Sequence, residues 1–283
     1  MNITCRDFGL NVIRLGNKLF FYSFLIGLSE KFNRKIILPD YYLWKYLKTP
    51  PIISDLTGIV EFSLPSDSYD ENFVNIFFQN NQNNLINVNA YCQSELSFSD
   101  YKEKVFELLT FKDEYVDSIK RKYSDFFDKP TIGIGVRLGG DMVGNSCFYQ
   151  IPINWYIDSL NSHFPYWEEN YNVIIFSDDI NQSKEIFKNY NFKYSDSNDT
   201  HQFIIGIDNS EKGMEHLILG SLMNHFIISQ STFSWWQAWL SNNNPSNKHG
   251  KVIHTGRNFD GHFLNIMKNK DYYPLNWIEH KLN

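Results

Sequence analysis

The sequence predicts an α/β fold, because apolar segments of strand length alternate with helical segments along most of the chain. The clearest case is residues 216–240, where a helix that ends at His225 precedes a short apolar strand over residues 226–229. A polar turn follows, and its hydroxyl side chains are placed to cap a second helix that begins at Phe233. Near the N-terminus, a strand, a glycine turn, a very apolar helix and a second strand over residues 35–38 begin a βαβ unit.

The rest of the chain continues this alternation in two blocks. We predict helices over residues 101–109, 113–127, 153–164 and 182–187, and strands over residues 131–136, 172–176, 201–206 and 251–254. The blocks meet at Lys129-Pro130, which predicts one unit over residues 1–129 and a second over residues 130–283. Residues 271–278 are expected to pack back on one of the two units.

Composition limits the kind of protein this is. The 283 residues fit two α/β units or one large domain, and an aromatic content of 17% provides apolar area for burial and for stacking on sugars. A net charge of −6 argues against a nucleic-acid or anionic-lipid surface. The three cysteines lack metal-ligand spacing and fit a reducing compartment. With no signal-peptide pattern and no apolar run near the ~20 residues of a membrane span, we expect a cytoplasmic protein.

Three places carry residues that suit an anionic ligand. The helix that begins after Ser231 lies just past a strand, where free backbone N–H groups bind phosphates well. Arg137 follows the strand over residues 131–136, and Asp178-Asp179 follow the strand over residues 172–176. Each has a plainer interpretation: an ordinary strand–helix turn, a surface arginine, or helix-capping aspartates. The aspartate pair also suits a metal site, and the residues alone leave these alternatives open.

Four motifs give the chain a resemblance to bacterial α-1,2-fucosyltransferases of glycosyltransferase family 11. Residues 230–236, Gln-Ser-Thr-Phe-Ser-Trp-Trp, resemble the Asn-Ser-Ser-Phe-Ser-Trp-Trp of that family, and residues 176–179, Phe-Ser-Asp-Asp, match it without change. Leu15-Gly16-Asn17 with Leu19-Phe20 resembles its Gly-Asn-Gln-Leu-Phe loop. Residues 135–141 occupy the place of the His-x-Arg-Arg-x-Asp motif of enzymes that use GDP-fucose.

The resemblance implies a GT-B-like fold with two Rossmann-like lobes that face one cleft. The N-terminal lobe is then expected to bind the acceptor and the C-terminal lobe the GDP-sugar. The implied reaction is inverting transfer of L-fucose from GDP-fucose to a galactose hydroxyl, its 2-OH, of a bacterial surface glycan precursor such as O-antigen. The implied acceptor is a galactose-terminated oligosaccharide or a lipid-linked glycan. Peripheral association with the inner membrane stays open, and no metal cofactor is expected.

The resemblance also assigns site residues. It implies catalytic roles for Arg137, Asn17 and Asp141. The implied donor-binding residues are Arg14, Gly16, Arg137, Ser177, Asp178, Ser231, Thr232, Phe233 and Ser234. An inverting transferase needs a general base, but spacing singles out none of the candidate carboxylates Asp141, Glu95 and Asp7.

The chain departs from the family at the arginine motif. Gly135 stands in the place of the histidine and Leu138 in that of the second arginine, while Gly140 or Asp141 takes the place of the aspartate. Two alternatives therefore remain: a non-catalytic protein that binds a GDP-sugar or a glycan, and a transferase that uses another GDP-sugar. If Arg137 holds the pyrophosphate, Arg137→Ala should lower turnover and GDP affinity with thermal stability nearly unchanged.

Overall fold

The computed structural model describes residues 2–10, 13–54, 70–82, 84–90, 92–139, 143–195, 211–247, 249–265 and 268–281. The strands are β1 Asn2–Thr4, β2 Lys35–Leu38, β3 Ile52–Ile53, β4 Ile86–Asn87, β5 Thr131–Val136, β6 Asn172–Ser177, β7 Lys193–Tyr194, β8 His225–Ile227, β9 Val252–His254 and β10 Ile278–Glu279. The α-helices are α1 Leu15–Phe32, α2 Glu71–Asn80, α3 Lys102–Leu108, α4 Asp113–Lys122, α5 Ile153–His163, α6 Trp167–Asn170, α7 Ile180–Ile186, α8 Glu211–Ser221, α9 Thr232–Asn242 and α10 Asn269–Tyr272.

The described strands form two parallel sheets. The first has the order β3-β2-β1-β4 and the second the order β10-β9-β8-β5-β6-β7. In the second sheet the chain first runs outward from β5 through β6 and β7, and then fills the other side with β8, β9 and β10. The order therefore reverses between β5 and β8. In open parallel sheets, ligands bind beyond the carboxyl ends of the strands at such a point.

The predicted α/β alternation is confirmed, with corrections at several ends. The predicted helix over residues 113–127 ends at Lys122, and the helix predicted to end at His225 ends at Ser221. His225 instead begins β8, where it pairs with Ile132 and its Nδ1 accepts a hydrogen bond from the Lys251 N–H at 3.0 Å. Sheet pairing thus overrides the local helical pattern. The strand predicted over residues 201–206 lies outside the described residues.

Helix α1 is a buried helix that joins the two sheets through one core. Its side chains are buried on all faces over most of its length, as its uniformly apolar sequence predicts. Phe20 packs on Trp235 and Trp236 of α9, with ring centroids 4.6 and 5.0 Å apart. The cluster that contains these rings includes Ile3 of the first sheet and Phe226 of the second. A separate cluster covers the opposite face of the second sheet.

The C-terminal segment is tied to both halves of the chain. Trp235 Nε1 donates to the Tyr272 carbonyl at 2.8 Å, and Trp155 Nε1 donates to the His280 carbonyl at 2.9 Å. The Ser94 hydroxyl donates to the Asp271 carbonyl. Among the described residues, every strand of the first sheet lies before residue 88 and every strand of the second lies after residue 130. The division of the chain into two lobes at residues 129–130 stays a prediction. None of the described helices has the length and hydropathy needed to span a bilayer.

Candidate active site

The first turns of α1 and α9 lie in direct contact. Gly16 is the contact residue, and a Cβ built on it would lie 2.5 Å from Thr232 Oγ1 and 2.7 Å from the Phe233 backbone nitrogen. Because real Cβ atoms do not come this close, only glycine allows this approach. The structure therefore brings together two of the motifs that the sequence singled out, although about 215 residues separate them in the chain.

Neither of these helix N-termini is capped by a side chain. Arg14 is the N-cap residue of α1 and Ser231 that of α9, and neither side chain accepts a hydrogen bond from the following backbone. The prediction that hydroxyls of the 230–232 turn cap α9 is therefore wrong. The first backbone N–H groups of both helices lack intrahelical partners, and each N-terminus carries about half a positive charge. Two such ends side by side favour an anion bound beside them.

Asp178, at the carboxyl end of β6, holds the loop that follows β5. Its Oδ1 accepts from the Leu138 N–H at 2.8 Å, and its Oδ2 accepts from the Gly139 N–H at 2.7 Å. The same Oδ2 pairs with the Arg137 guanidinium, and the two side chains are 10% and 9% exposed. The carboxylate thus receives three donors from consecutive residues. This arrangement fixes where the Arg137 side chain can lie.

The neighbouring Asp179 has a different role. It is the N-cap residue of α7, and its Oδ1 accepts from the Gln182 N–H at 2.9 Å. Ser177 closes the same turn, because its hydroxyl accepts from the Asp179 N–H at 3.1 Å. The capping interpretation is confirmed for Asp179. Within the described part of the chain, no group of three or more His, Cys, Asp or Glu side chains is placed to hold a metal ion.

A cavity of about 250 Å³ lies where the strand order of the second sheet reverses. It is lined by Val136, Arg137, Leu138, Val143, Gln150, Ile151, Ile153, Tyr156, Gln182, Ile186 and Gln230. Gln230, the residue before the α9 N-cap, is 5% exposed, and its Oε1 has no hydrogen-bond partner among the described residues. The cavity therefore combines apolar walls with one cation and an unsatisfied amide, as small-molecule sites commonly do.

Ser234 occupies the space beside Gly135. A Cβ built on Gly135 would lie 2.1 Å from Ser234 Oγ, and Ser234 is 3% exposed. A histidine at position 135 would therefore have to displace Ser234. This packing accounts physically for glycine at that position, and it turns the Ser234 hydroxyl toward β5.

Asn17, the third residue of α1, has a hydrogen-bond partner in the turn that follows β4. Gln93 Nε2 donates to Asn17 Oδ1 at 3.1 Å across 76 positions of sequence. Glu95, from the same turn, accepts from Trp239 Nε1 at 2.8 Å and pairs with Lys102 at 2.8 Å, which are structural contacts. Asp141 lies outside the described residues. The assigned donor-binding and catalytic roles stay predictions.

The fold is shared with fucosyltransferases of known structure. One is the α-1,6-fucosyltransferase NodZ, known from Bradyrhizobium. Its structure soaked with GDP-fucose gives a TM-score of 0.53 at 12% identity. The match covers 87% of this chain and 95% of the NodZ chain. A mutant of Arabidopsis thaliana FUT1 in complex with GDP gives a TM-score of 0.54 at 13% identity. That match covers 90% of this chain and 70% of the FUT1 chain. The predicted α/β fold of the GT-B-like class is confirmed.

The sequence places the chain within one glycosyltransferase family. The profile of glycosyl transferase family 11 matches residues 13–281. The chain belongs to glycosyl transferase family 11, and the predicted resemblance is confirmed. A curated relative, an α-1,2-colitosyltransferase of Escherichia coli, is 30% identical over 161 residues, which cover 54% of this chain. That match spans about half the length of the relative.

Proposed function

We propose that this chain transfers L-fucose from GDP-fucose, with inversion, to the 2-OH of a galactose residue in a bacterial surface glycan precursor such as O-antigen. The observation that carries the proposal is the contact between the uncapped N-termini of α1 and α9 at Gly16, near the carboxyl end of β5. Membership of family 11 and the fold shared with fucosyltransferases support it. The acceptor is a galactose-terminated oligosaccharide or a lipid-linked glycan, met in the cytoplasm or at the inner membrane surface.

The two helix N-termini and Arg137 suit a departing diphosphate. As the bond between fucose and phosphate breaks, negative charge grows on the diphosphate oxygens, and preorganised donors stabilise that charge more than they stabilise the bound substrate. Backbone N–H groups of residues 232 and 233 and the guanidinium of Arg137 are donors of this kind. Removal of one such donor typically costs about 10²- to 10³-fold in rate.

The nucleotide is proposed to extend from this corner into the cavity beside Arg137. That cavity lies on the face of the second sheet covered by α5 and α7, away from α1, so it suits the base and leaves the sugar near α1. The unsatisfied Oε1 of Gln230 can accept from the N–H edge of guanine. Arg14, Ser177 and Thr232 remain proposed contacts of the donor, and Asp141 the proposed general base.

No metal is proposed to take part. The Asp178 carboxylate is engaged by Arg137 and by two backbone N–H groups, which leaves it poorly suited as a metal ligand. Activity should therefore survive EDTA and should not rise with Mg²⁺ or Mn²⁺. Loss of activity in EDTA with recovery on Mn²⁺ addition would make the proposal of metal independence wrong.

The direct test is incubation of the purified protein with GDP-fucose and a panel of galactosides, with mass spectrometry and linkage analysis of the products. A fucosylated galactoside with an α-1,2 linkage is the expected product. The name of the curated relative favours colitose as a second candidate for the transferred sugar, so the panel includes its GDP-activated form. Tight GDP binding in calorimetry without transfer or donor hydrolysis would instead support the non-catalytic alternative.

A further inference from the structure

The turn after β4 is built in a strained conformation. Cys92 has a φ of 39°, which lies in the left-handed region that residues other than glycine rarely adopt. The Ser94 N–H donates to the Cys92 carbonyl at 2.6 Å, so the backbone reverses within three residues, with Gln93 at the centre. Strain of this kind persists only where the surrounding structure enforces it, and it clusters at functional sites.

The surroundings of the turn enforce that conformation from several sides. The Ser94 hydroxyl donates to the Asp271 carbonyl of the C-terminal segment, and the Ser97 hydroxyl donates to the Ser94 carbonyl at 2.8 Å. Glu95 anchors the turn to α9 through Trp239 Nε1. Because these contacts reach two distant parts of the chain, the backbone of Gln93 is fixed relative to α9.

The side chain of Gln93 reaches the first turn of α1. Its Nε2 donates to Asn17 Oδ1 at 3.1 Å, and Asn17 directly follows Gly16, which contacts the N-terminus of α9. An amide group has one acceptor end and one donor end. A donor that holds the Asn17 oxygen therefore turns the Asn17 NH₂ group away from Gln93.

We propose that Gln93 is a positioning residue, which orients the Asn17 amide so that its N–H groups, rather than its oxygen, face the bound diphosphate. This inference rests on the proposed use of a nucleotide diphosphate sugar. The sign of the effect follows from electrostatics, because an N–H group stabilises growing negative charge and a carbonyl oxygen opposes it. Gln93 itself acts through Asn17 and does not contact the donor.

The test combines variants that hold the Asn17 amide in opposite orientations. Gln93→Glu offers only acceptors, so it should bind the Asn17 NH₂ and turn the Asn17 oxygen toward the diphosphate. We expect kcat to fall roughly 10- to 100-fold and GDP affinity to weaken, which corresponds to one hydrogen bond to a charged group. Gln93→Met removes the contact without a charge and should cost only a few-fold, because the amide then turns freely.

A double-mutant cycle separates positioning from simple charge repulsion. In an Asn17→Ala background no amide remains to be turned, so Gln93→Glu should cost no more than about 2- to 3-fold there. The same loss in both backgrounds would overturn the proposal, as would wild-type kcat in Gln93→Glu. Thermal unfolding within a few degrees of wild type excludes a general folding defect. Gln82→Glu, on an exposed turn, is the matched charge control and should leave kcat unchanged.

A readout that needs no turnover keeps this inference distinct from the proposed function. In side-chain amide NMR spectra, the Gln93 NH₂ signals should shift on Asn17→Ala, because the Asn17 oxygen is their acceptor. Unchanged signals would overturn the contact itself. If the signals shift but the wild-type protein neither binds GDP nor transfers a sugar, then the proposed function is wrong while the contact stands, and the positioning role fails with the function.

Discussion

The two adjacent aspartates after β6 show how neighbouring residues of one type take different roles. Asp178 receives the Arg137 guanidinium and the N–H groups of Leu138 and Gly139, whereas Asp179 caps α7. Because β6 lies beside β5 in the sheet, the first aspartate faces the loop that follows β5. The second aspartate points along its own chain into the next helix.

This difference predicts unequal effects of the same substitution. Asp178→Asn replaces a charged acceptor of three donors by an amide with one acceptor, so the 137–139 loop should loosen and GDP affinity should fall at least tenfold. Asp179→Asn should leave GDP binding near wild type and cost well under 1 kcal/mol in unfolding free energy, because asparagine caps helices as well as aspartate. Calorimetry with GDP and urea unfolding of both variants measure the difference. Equal effects would contradict the assigned roles.

The Arg137–Asp178 pair also revises what Arg137→Ala should do. Removal of Arg137 is still expected to lower kcat about 10²- to 10³-fold through the lost donor. The sequence alone predicts little change in stability, but the pair is largely shielded from solvent, and Arg137→Ala leaves the Asp178 carboxylate without its counter-ion. Loss of one partner of a buried ion pair commonly lowers the free energy of unfolding by about 3 kcal/mol or more. We expect a smaller loss here, because the N–H groups of Leu138 and Gly139 still donate to the carboxylate. Urea unfolding of Arg137→Ala checks this, with Arg257→Ala at an exposed ion pair as the control.

At the scale of helices, the close approach of α1 and α9 is the feature on which the site depends. Gly16→Ala would place a methyl group 2.7 Å from the backbone of α9, so the two helix N-termini must separate. We expect lower stability and at least a tenfold loss of kcat with weaker GDP binding. The matched control is Gly9→Ala, whose Cβ would lie 3.4 Å from Pro39 and should be tolerated. Thermal unfolding and initial rates test both, and wild-type behaviour of Gly16→Ala would contradict the geometry.

At the scale of the whole molecule, buried histidines predict an acid-sensitive fold. Burial lowers the pKa of His254 from 6.5 to about 4, and its Nδ1 accepts from the Gly256 N–H at 3.0 Å. The folded state therefore keeps this ring neutral, while the unfolded chain binds a proton below about pH 6.5. The contribution of the neutral His254 ring to the free energy of unfolding is complete above pH 6.5. It is lost as the pH falls from 6.5 to 4, at up to about 1.4 kcal/mol per pH unit. Burial also lowers the pKa of His225 to about 4, which adds in the same direction.

The measurement is unfolding free energy by urea at pH values from 4 to 8 for wild type and His254→Gln. The glutamine variant should be less stable at neutral pH, because it loses the stacking of His254 on Tyr273, whose ring centroid lies 3.9 Å away. Its dependence on pH between 4 and 6.5 should nevertheless be shallower. His262→Gln, at an exposed histidine, is the control and should keep the wild-type slope. Parallel slopes for wild type and His254→Gln would contradict this assignment.

The sequence by itself determined the α/β class, most of the described α-helices, the longest of the described strands, and the motifs that place the chain in its family. These features are local or periodic: the apolar run of α1 predicts a buried helix, and the residues of β5 predict a buried strand. Boundaries governed by distant contacts were less accurate. The end of α8 at Ser221 follows from the pairing of His225 with Ile132 in a neighbouring strand, which no local pattern reports.

Only the tertiary structure decided how the candidate site is assembled. The contact of Gly16 with the start of α9, the engagement of Asp178 by the loop after β5, and the hydrogen bond from Gln93 to Asn17 each join residues at least about 40 positions apart. A single sequence carries no record of such pairs, because chain distance says nothing about which loops meet at the ends of two sheets. The physical reason is that sheet order and helix packing, rather than local propensity, fix where each loop lies.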